Sequence, residues 1–216
     1  MKQSILQKPL TYSYFNVTFV LIGINILVYF FNMMIPDTRI YMAMIPVLVI
    51  RDHTYWQFLT YMFTHGSMTH ILFNMLGLFF FGASVERRMG SWEFLLFYLL
   101  TGVLAGIFSF IVYYFTGAYT VILLGASGAV YAVLLAYASY YPDSRIFIFG
   151  LIPIKASMMV LIYTALALFN QFTGSRGGVA HMTHLAGFGF AFLYFLIRLG
   201  INPIDSFTGK KQNPWR

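Results

Sequence analysis

Six stretches of this chain are nearly free of charge and each is about twenty residues long, the length a helix needs to cross a bilayer. Tyr14 to Ile35 carries no charged residue. Met68 to Val85 stops at Glu86-Arg87-Arg88. Trp92 to Phe115 follows, and then Val121 to Tyr141, which stops at Pro142-Asp143. Ala156 to Phe172 begins beside Lys155, a side chain able to snorkel to the headgroups. Val179 to Ile197 stops at Arg198. The expected fold is therefore all-α, a polytopic bundle of six transmembrane helices. It forms a single domain over residues 1–216, with short cytoplasmic tails at 1–13 and 198–216. The apolar run after MKQSILQKPL is long and no small-residue cleavage site follows, so it reads as a first span and not as a signal peptide.

Composition closes off the other classes. The chain is 60% apolar and 9% charged, whereas a soluble domain is about a quarter charged. The net charge is +7, but the 13 Lys and Arg are spread along the chain and form no patch, which argues against nucleic acid as a partner. An aromatic content of 20% excludes disorder. There is no Cys, hence no disulfide framework, thiolate metal site or cysteine nucleophile.

With six spans and a cytoplasmic N-terminus, ten cations fall inside: Lys2, Lys8, Arg87, Arg88, Arg145, Lys155, Arg198, Lys210, Lys211 and Arg216. Three fall outside: Arg39, Arg51 and Arg176. This positive-inside bias predicts that both termini are cytoplasmic. With no targeting extension ahead of the first span, the expected location is a prokaryotic plasma membrane. The first outer connection, Pro36 to Ser67, runs for about thirty residues, long for a compact bundle. It is rich in aromatics (Tyr41, Tyr55, Trp56, Phe58, Tyr61, Phe63), as suits a structured segment lying in the outer leaflet.

Inside the spans, ionisable and polar groups are costly and mark function. No Asp or Glu lies deep in any span, which argues against a carboxylate proton relay. His70 and Asn74 lie in the first third of span 2, Ser127 in the first third of span 4, and His181 and His184 in the first third of span 6. Even-numbered spans all run from outside to inside, so these groups share one depth below the outer surface. In Gly125-Ala126-Ser127-Gly128 the small neighbours leave the hydroxyl open, and small residues let helices approach closely. Tyr131 is one turn further along the face of Ser127. Gly187, one turn after His184, would let span 6 press on span 4. A hydroxyl, a possible base and two side-chain donors at one depth are the parts for nucleophilic acyl transfer with an oxyanion hole.

Each piece also has a plainer meaning. Taken alone, the small-residue run reads as helix packing and Tyr131 as core, while His70 with Asn74 reads equally as interhelical hydrogen bonds. His181 and His184 have the chemistry of metal ligands, with His65 and His70 as partners, but no carboxylate or Cys accompanies them and an HExxH helix is absent. No metal and no cofactor is expected. His53 and His65 read as interfacial loop residues, and Glu86 with Arg88 as a cytoplasmic turn.

In combination the pieces resemble a known family, the rhomboid intramembrane serine proteases in their minimal six-span form. The resemblance covers essentially the whole chain. It is carried by His70-Ile-Leu-Phe-Asn74, Gly-Ala-Ser127-Gly, Ala180-His-Met-Thr-His184-Leu-Ala-Gly187 and Gly82-Ala-Ser-Val-Glu86-Arg-Arg88-Met-Gly90. It implies Ser127 as nucleophile and His184 as general base, a dyad without a carboxylate. Tyr131 would pack on the His184 ring. His70, Asn74 and the Ser127 backbone N–H would form the oxyanion hole, and Gly187 would sit at the contact of spans 4 and 6. The aromatic connection would match the family's membrane-embedded loop, with one departure: Trp56 is followed by Gln57 where the family has Trp-Arg. The implied partners are the lipid bilayer and single-span transmembrane protein substrates, cut near the outer face beside small residues, where Gly, Ser or Pro ease local unwinding. Water must then reach Ser127 through a hydrophilic cavity open to the outside. Two rivals stand beside this reading. One is a catalytically inactive rhomboid-like binder of membrane proteins, against which both Ser127 and His184 are present. The other is a transporter or channel, against which the polar cluster has no inward continuation.

Overall fold

The computed structural model describes residues 10–148, 151–172 and 178–208. Most of the two expected tails, with Lys2, Lys8, Lys210, Lys211 and Arg216, lies outside the described residues, as does Arg176. In chain order the helices are α1 (Val17–Met34), then α2 (Asp37–Met42), α3 (Pro46–Asp52) and α4 (Gln57–Thr60) in the long connection. Next come α5 (Met68–Met89, with a π-helical turn at Leu78–Gly82), α6 (Ser91–Thr116) and α7 (Ser127–Tyr140). The chain finishes with α8 (Ala156–Phe172), α9 (Gly178–Tyr194, continued by a π-helical turn Phe195–Leu199) and the short α10 (Pro203–Phe207).

Among the described residues, four helices are long and apolar enough to cross a membrane: α1, α5, α6 and the stretch Met182–Leu199. The burial pattern is that of a chain solvated by lipid. Leu27, Phe73 and Phe115 are 71%, 67% and 81% exposed, while Thr18, Asn25, Glu86, Glu93, Thr101 and Ser109 are 1% exposed or less. Small and polar side chains share the interior with a core that includes Leu78, Phe94, Phe97, Tyr98 and Phe195, while many other large apolar side chains face outward.

Two expectations are corrected. The fourth stretch does not become helix at Val121. Residues 121–126 run without helix, Met44 and Leu123 exchange backbone hydrogen bonds at 2.9 Å, and α7 starts only at Ser127. An apolar run does not by itself say helix, and here the long connection offers a backbone to pair with. At 14 residues α7 rises only about 21 Å, against a hydrocarbon core of about 30 Å. The second is a loop detail, for the fold is mostly helical as expected but carries one short hairpin. Arg145–Ile148 (β1) and Ile152–Lys155 (β2) form an antiparallel hairpin between α7 and α8, with Ile146 opposite Ile154.

Buried carboxylates tie the helix ends. Asn16, which precedes α1, has a left-handed φ of 58° and provides no side-chain cap. Glu86 of α5 supplies it instead. Its carboxylate accepts from the Val17 and Thr18 N–H groups at 2.7 and 2.9 Å, from the Thr18 hydroxyl at 2.6 Å and from the Ser91 hydroxyl. A negative charge at a helix N-terminus meets both the free N–H groups and the positive end of the dipole. Glu93 of α6 accepts the Arg198 guanidinium on both oxygens, at 2.9 and 3.0 Å, with the Tyr194 hydroxyl and the Leu10 N–H. Glu86→Ala strips the buried amides of α1 of their acceptor, at about 1–3 kcal/mol per unsatisfied group. We expect it to lower unfolding stability in detergent by about 2–4 kcal/mol, and Glu86→Gln by less than half as much.

Candidate active site

Four of the polar side chains singled out by depth, His70, Asn74, Ser127 and His184, line one cavity of about 740 Å³ between α5, α7, α8 and α9. Ser67, Thr69, His70, Asn74, Ser127 and His184 form its polar wall. Phe80, Phe81, Leu134, Ile146 and Met159 continue it as an apolar trough toward the hairpin. Ser127 opens α7, so its amide N–H has no acceptor within the helix and points with the dipole's positive end.

The loop that presents Ser127 is held from three sides. Gly125 has φ 113°, a conformation that suits glycine, and a Cβ there would stand 2.7 Å from His70 Nε2. The His70 ring thus lies directly on this backbone. Gly125 N–H donates to the Tyr61 carbonyl at 2.9 Å, and Ala126 N–H donates to His65 Nε2 at 3.4 Å. His65 is 2% exposed, with its ring 5.1 Å from that of His70. It is a buried support and not the interfacial residue expected. Burial, and after it the neighbouring His70, lowers its pKa to about 4, so the ring accepts as neutral imidazole. Its position five residues before His70 was the available signal.

Tyr61 itself is fixed by α6. Its hydroxyl donates to the Gly102 carbonyl at 2.6 Å. Cβ atoms at Gly102 and Gly106 would lie 2.1 Å from Met62 and 2.6 Å from Tyr61. This GxxxG notch receives the long connection, with Ala129 of α7 also 3.2 Å from a Cβ at Gly102. Gln57, where the family pattern has Arg, is fully buried. It accepts from Ile45 N–H at 3.0 Å and donates to the carbonyls of Ile40 and Tyr41, and Trp56 Nε1 also donates to Tyr41. The neutral amide anchors the segment from within.

On the facing helix, the Tyr131 ring stacks on His184 with centroids 4.0 Å apart and planes within 9°. A Cβ on Gly187 would lie 2.1 Å from the Gly128 carbonyl oxygen, and one on Gly128 would lie 3.2 Å from Thr183 Cγ2. Helices α7 and α9 therefore touch backbone to backbone beside Ser127 and His184. Asn74, on the His70 side, donates one amide hydrogen to the His70 carbonyl at 2.8 Å, which leaves the other for a cavity occupant. The His181 side chain lies outside the described part of the structure. Among the described residues, no three His, Asp or Glu side chains are grouped to hold a metal ion.

Comparison with known proteins agrees with this architecture. The profile of the rhomboid domain matches residues 52–201. The chain is 29% identical over 172 residues to the rhomboid protease GlpG of Haemophilus influenzae, covering 79% of this chain and 85% of that one. It is 31% identical over 175 residues to the rhomboid protease GlpG of an Enterobacter species, covering 78% and 59%. It is 29% identical over 166 residues to RHOMBOID-like protein 4 of Arabidopsis thaliana, covering 77% and 39%. The match thus spans less than two thirds of the last two proteins. With the domain profile extending from the long connection through the end of α9, this integral membrane protein belongs to the rhomboid family.

Proposed function

We propose that this rhomboid is an intramembrane serine protease that hydrolyses peptide bonds in or near the transmembrane helices of other membrane proteins. Ser127 is the nucleophile and His184 the base. The observation that supports this most is a single cavity lined by both side chains, with Tyr131 stacked on the imidazole. The Ser127 hydroxyl adds to the substrate carbonyl carbon as its proton passes to the imidazole. Negative charge develops on the former carbonyl oxygen and is met by the Asn74 amide, the His70 ring and the Ser127 N–H. The intermediate collapses, and the leaving amine takes the proton from the imidazolium. Water then cleaves the acyl-enzyme by the same route, which regenerates Ser127 and neutral His184.

The substrate segment must unwind to bare its peptide bond, which favours helices weakened by Gly, Ser or Pro. We place the protein in a prokaryotic plasma membrane with six spans, α7 and α8 being the two short ones. Both termini are then cytoplasmic and the polar end of the cavity faces outward. The inner cations Arg87, Arg88, Arg145, Lys155 and Arg198 support this orientation.

The test is labelling of the purified protein in detergent by a fluorophosphonate, together with cleavage of a fluorescent transmembrane substrate. We expect an adduct on Ser127 that is absent from Ser127→Ala. A wild-type protein that neither reacts nor cleaves would instead be an inactive binder. Asn74→Ala and His70→Ala should still be labelled, more slowly, with turnover lower by about a hundred- to a thousandfold. A pair serving only as interhelical glue would lower the melting temperature and leave turnover per folded molecule unchanged.

A further inference from the structure

The residue next to the proposed base makes contacts that reach two other helices. Thr183, Ser109 and Tyr113 are 1%, 0% and 2% exposed. Ser109 donates to the Ala105 carbonyl at 2.8 Å, and its oxygen lies 2.7 Å from the Thr183 hydroxyl, so Thr183 is the donor between them. The Tyr113 side chain lies beside both. Hydroxyls at Thr101, Thr116, Ser139 and Thr164 turn back to carbonyls of their own helices, each four residues earlier. That of Thr183 reaches across from α9 to α6. Its methyl group meanwhile rests against α7 at Gly128, the neighbour of Ser127.

We propose that Thr183 is a positioning residue. Its hydroxyl bond to Ser109 and its methyl contact at Gly128 set the rotation and depth of α9, and so the place of the His184 imidazole relative to Ser127. In hydrocarbon no water competes for these hydroxyls, so the Thr183–Ser109 bond, with Ser109 on the Ala105 carbonyl, is kept. His184 follows Thr183 by one residue, about 100° around the helix. Rotation of α9 that breaks the Thr183 contact therefore swings the imidazole along the cavity wall. Neither Thr183 nor Ser109 lines the cavity, so their effect falls on the geometry of reaction and not on the room for substrate. The proposal rests on the dyad proposed above.

The experiment uses the full chain in detergent with a fluorescent transmembrane substrate and a fluorophosphonate. Thr183→Val keeps the shape and deletes the hydroxyl. Its kcat should fall about ten- to a hundredfold, the scale of a sub-ångström to 1 Å misplacement. KM should stay within about twofold, labelling should slow in proportion, and the melting temperature should drop only slightly, since single interhelical hydrogen bonds contribute little to stability. Ser109→Ala removes the same bond from the other helix and should match it. The double variant should be no worse than either single, because one interaction is lost twice. Thr183→Ser restores the hydroxyl and should keep kcat within about threefold of wild type. Wild-type kcat in Thr183→Val, or a loss that vanishes on normalising to folded protein, overturns the positioning role while labelling of Ser127 leaves the dyad standing. A wild type that is neither labelled nor active overturns the dyad and this proposal with it.

Discussion

Ser127→Ala is expected to abolish turnover while leaving the protein folded, and His184→Ala to do the same. In a soluble serine protease, loss of the nucleophile costs up to about a millionfold in kcat, and members of one nucleophile unit are strongly non-additive. The double variant should therefore be scarcely worse than either single. Folding should survive both changes, because neither side chain belongs to the buried clusters that join the helices. Ser127 and His184 are half-buried at the cavity, whereas the ties between helices run through Glu86, Glu93, Tyr61 and the backbone contact at Gly187. The measurement is turnover of a transmembrane substrate alongside thermal unfolding of the same preparation. Wild-type turnover in Ser127→Ala would remove the serine mechanism. Turnover in Asn74→Ala and His70→Ala, each missing one donor, should lie well above that of the dyad variants, which separates the two kinds of role by magnitude.

What the amino-acid order made legible followed from physics that is itself one-dimensional. Helix direction alternates along a membrane chain, so residues in the first third of alternate spans share a depth. His70, Asn74, Ser127 and His184 could be grouped on that ground, and all four line one cavity. Hydropathy also located α1, α5 and α6 to within a few residues. It misjudged their ends because caps come from elsewhere in the chain. Glu86, remote in sequence, starts α1 at Val17 and not at Tyr14, and α5 runs on to Met89 to bring that carboxylate into place. The apolar residues 121–124 looked like span for the same reason. Hydropathy records the preference for leaving water, not whether the backbone pairs within its own helix or with Met44 of the long connection. The loop position of His65 points to the interface, whereas its burial depends on packing against His70 and the Gly125 loop. The anchoring of the long connection by Tyr61 in the Gly102–Gly106 notch, and by Gln57, is likewise a matter of tertiary contact. Small residues at four-residue spacing announce a close approach without naming what approaches.

Gly187 carries the sharpest steric prediction. A Cβ there would sit 2.1 Å from the backbone oxygen of Gly128, while ordinary contact begins at 3.4 Å, a shortfall of 3.4 − 2.1 = 1.3 Å. The obstructing atom is backbone in α7, one residue from Ser127, so no side chain can swing aside. Helices α7 and α9 must separate or slide. A displacement of this order between nucleophile and base costs about a hundredfold in rate, and forcing extra volume into a packed contact costs about 1–3 kcal/mol of stability. Gly187→Ala should therefore lose about two orders of magnitude in turnover and melt lower, and Gly187→Val should lose more of both. The internal control is Gly189, two residues along the same helix, where nothing lies within 4 Å of a built Cβ. Gly189→Ala should keep wild-type turnover and melt no lower, since alanine favours the helix over glycine by about 1 kcal/mol. Equal behaviour of the two alanine variants would mean that helix flexibility, and not the contact with Gly128, is what glycine provides at 187. Loss confined to Gly187→Ala and Gly187→Val assigns the spacing of Ser127 and His184 to that backbone contact.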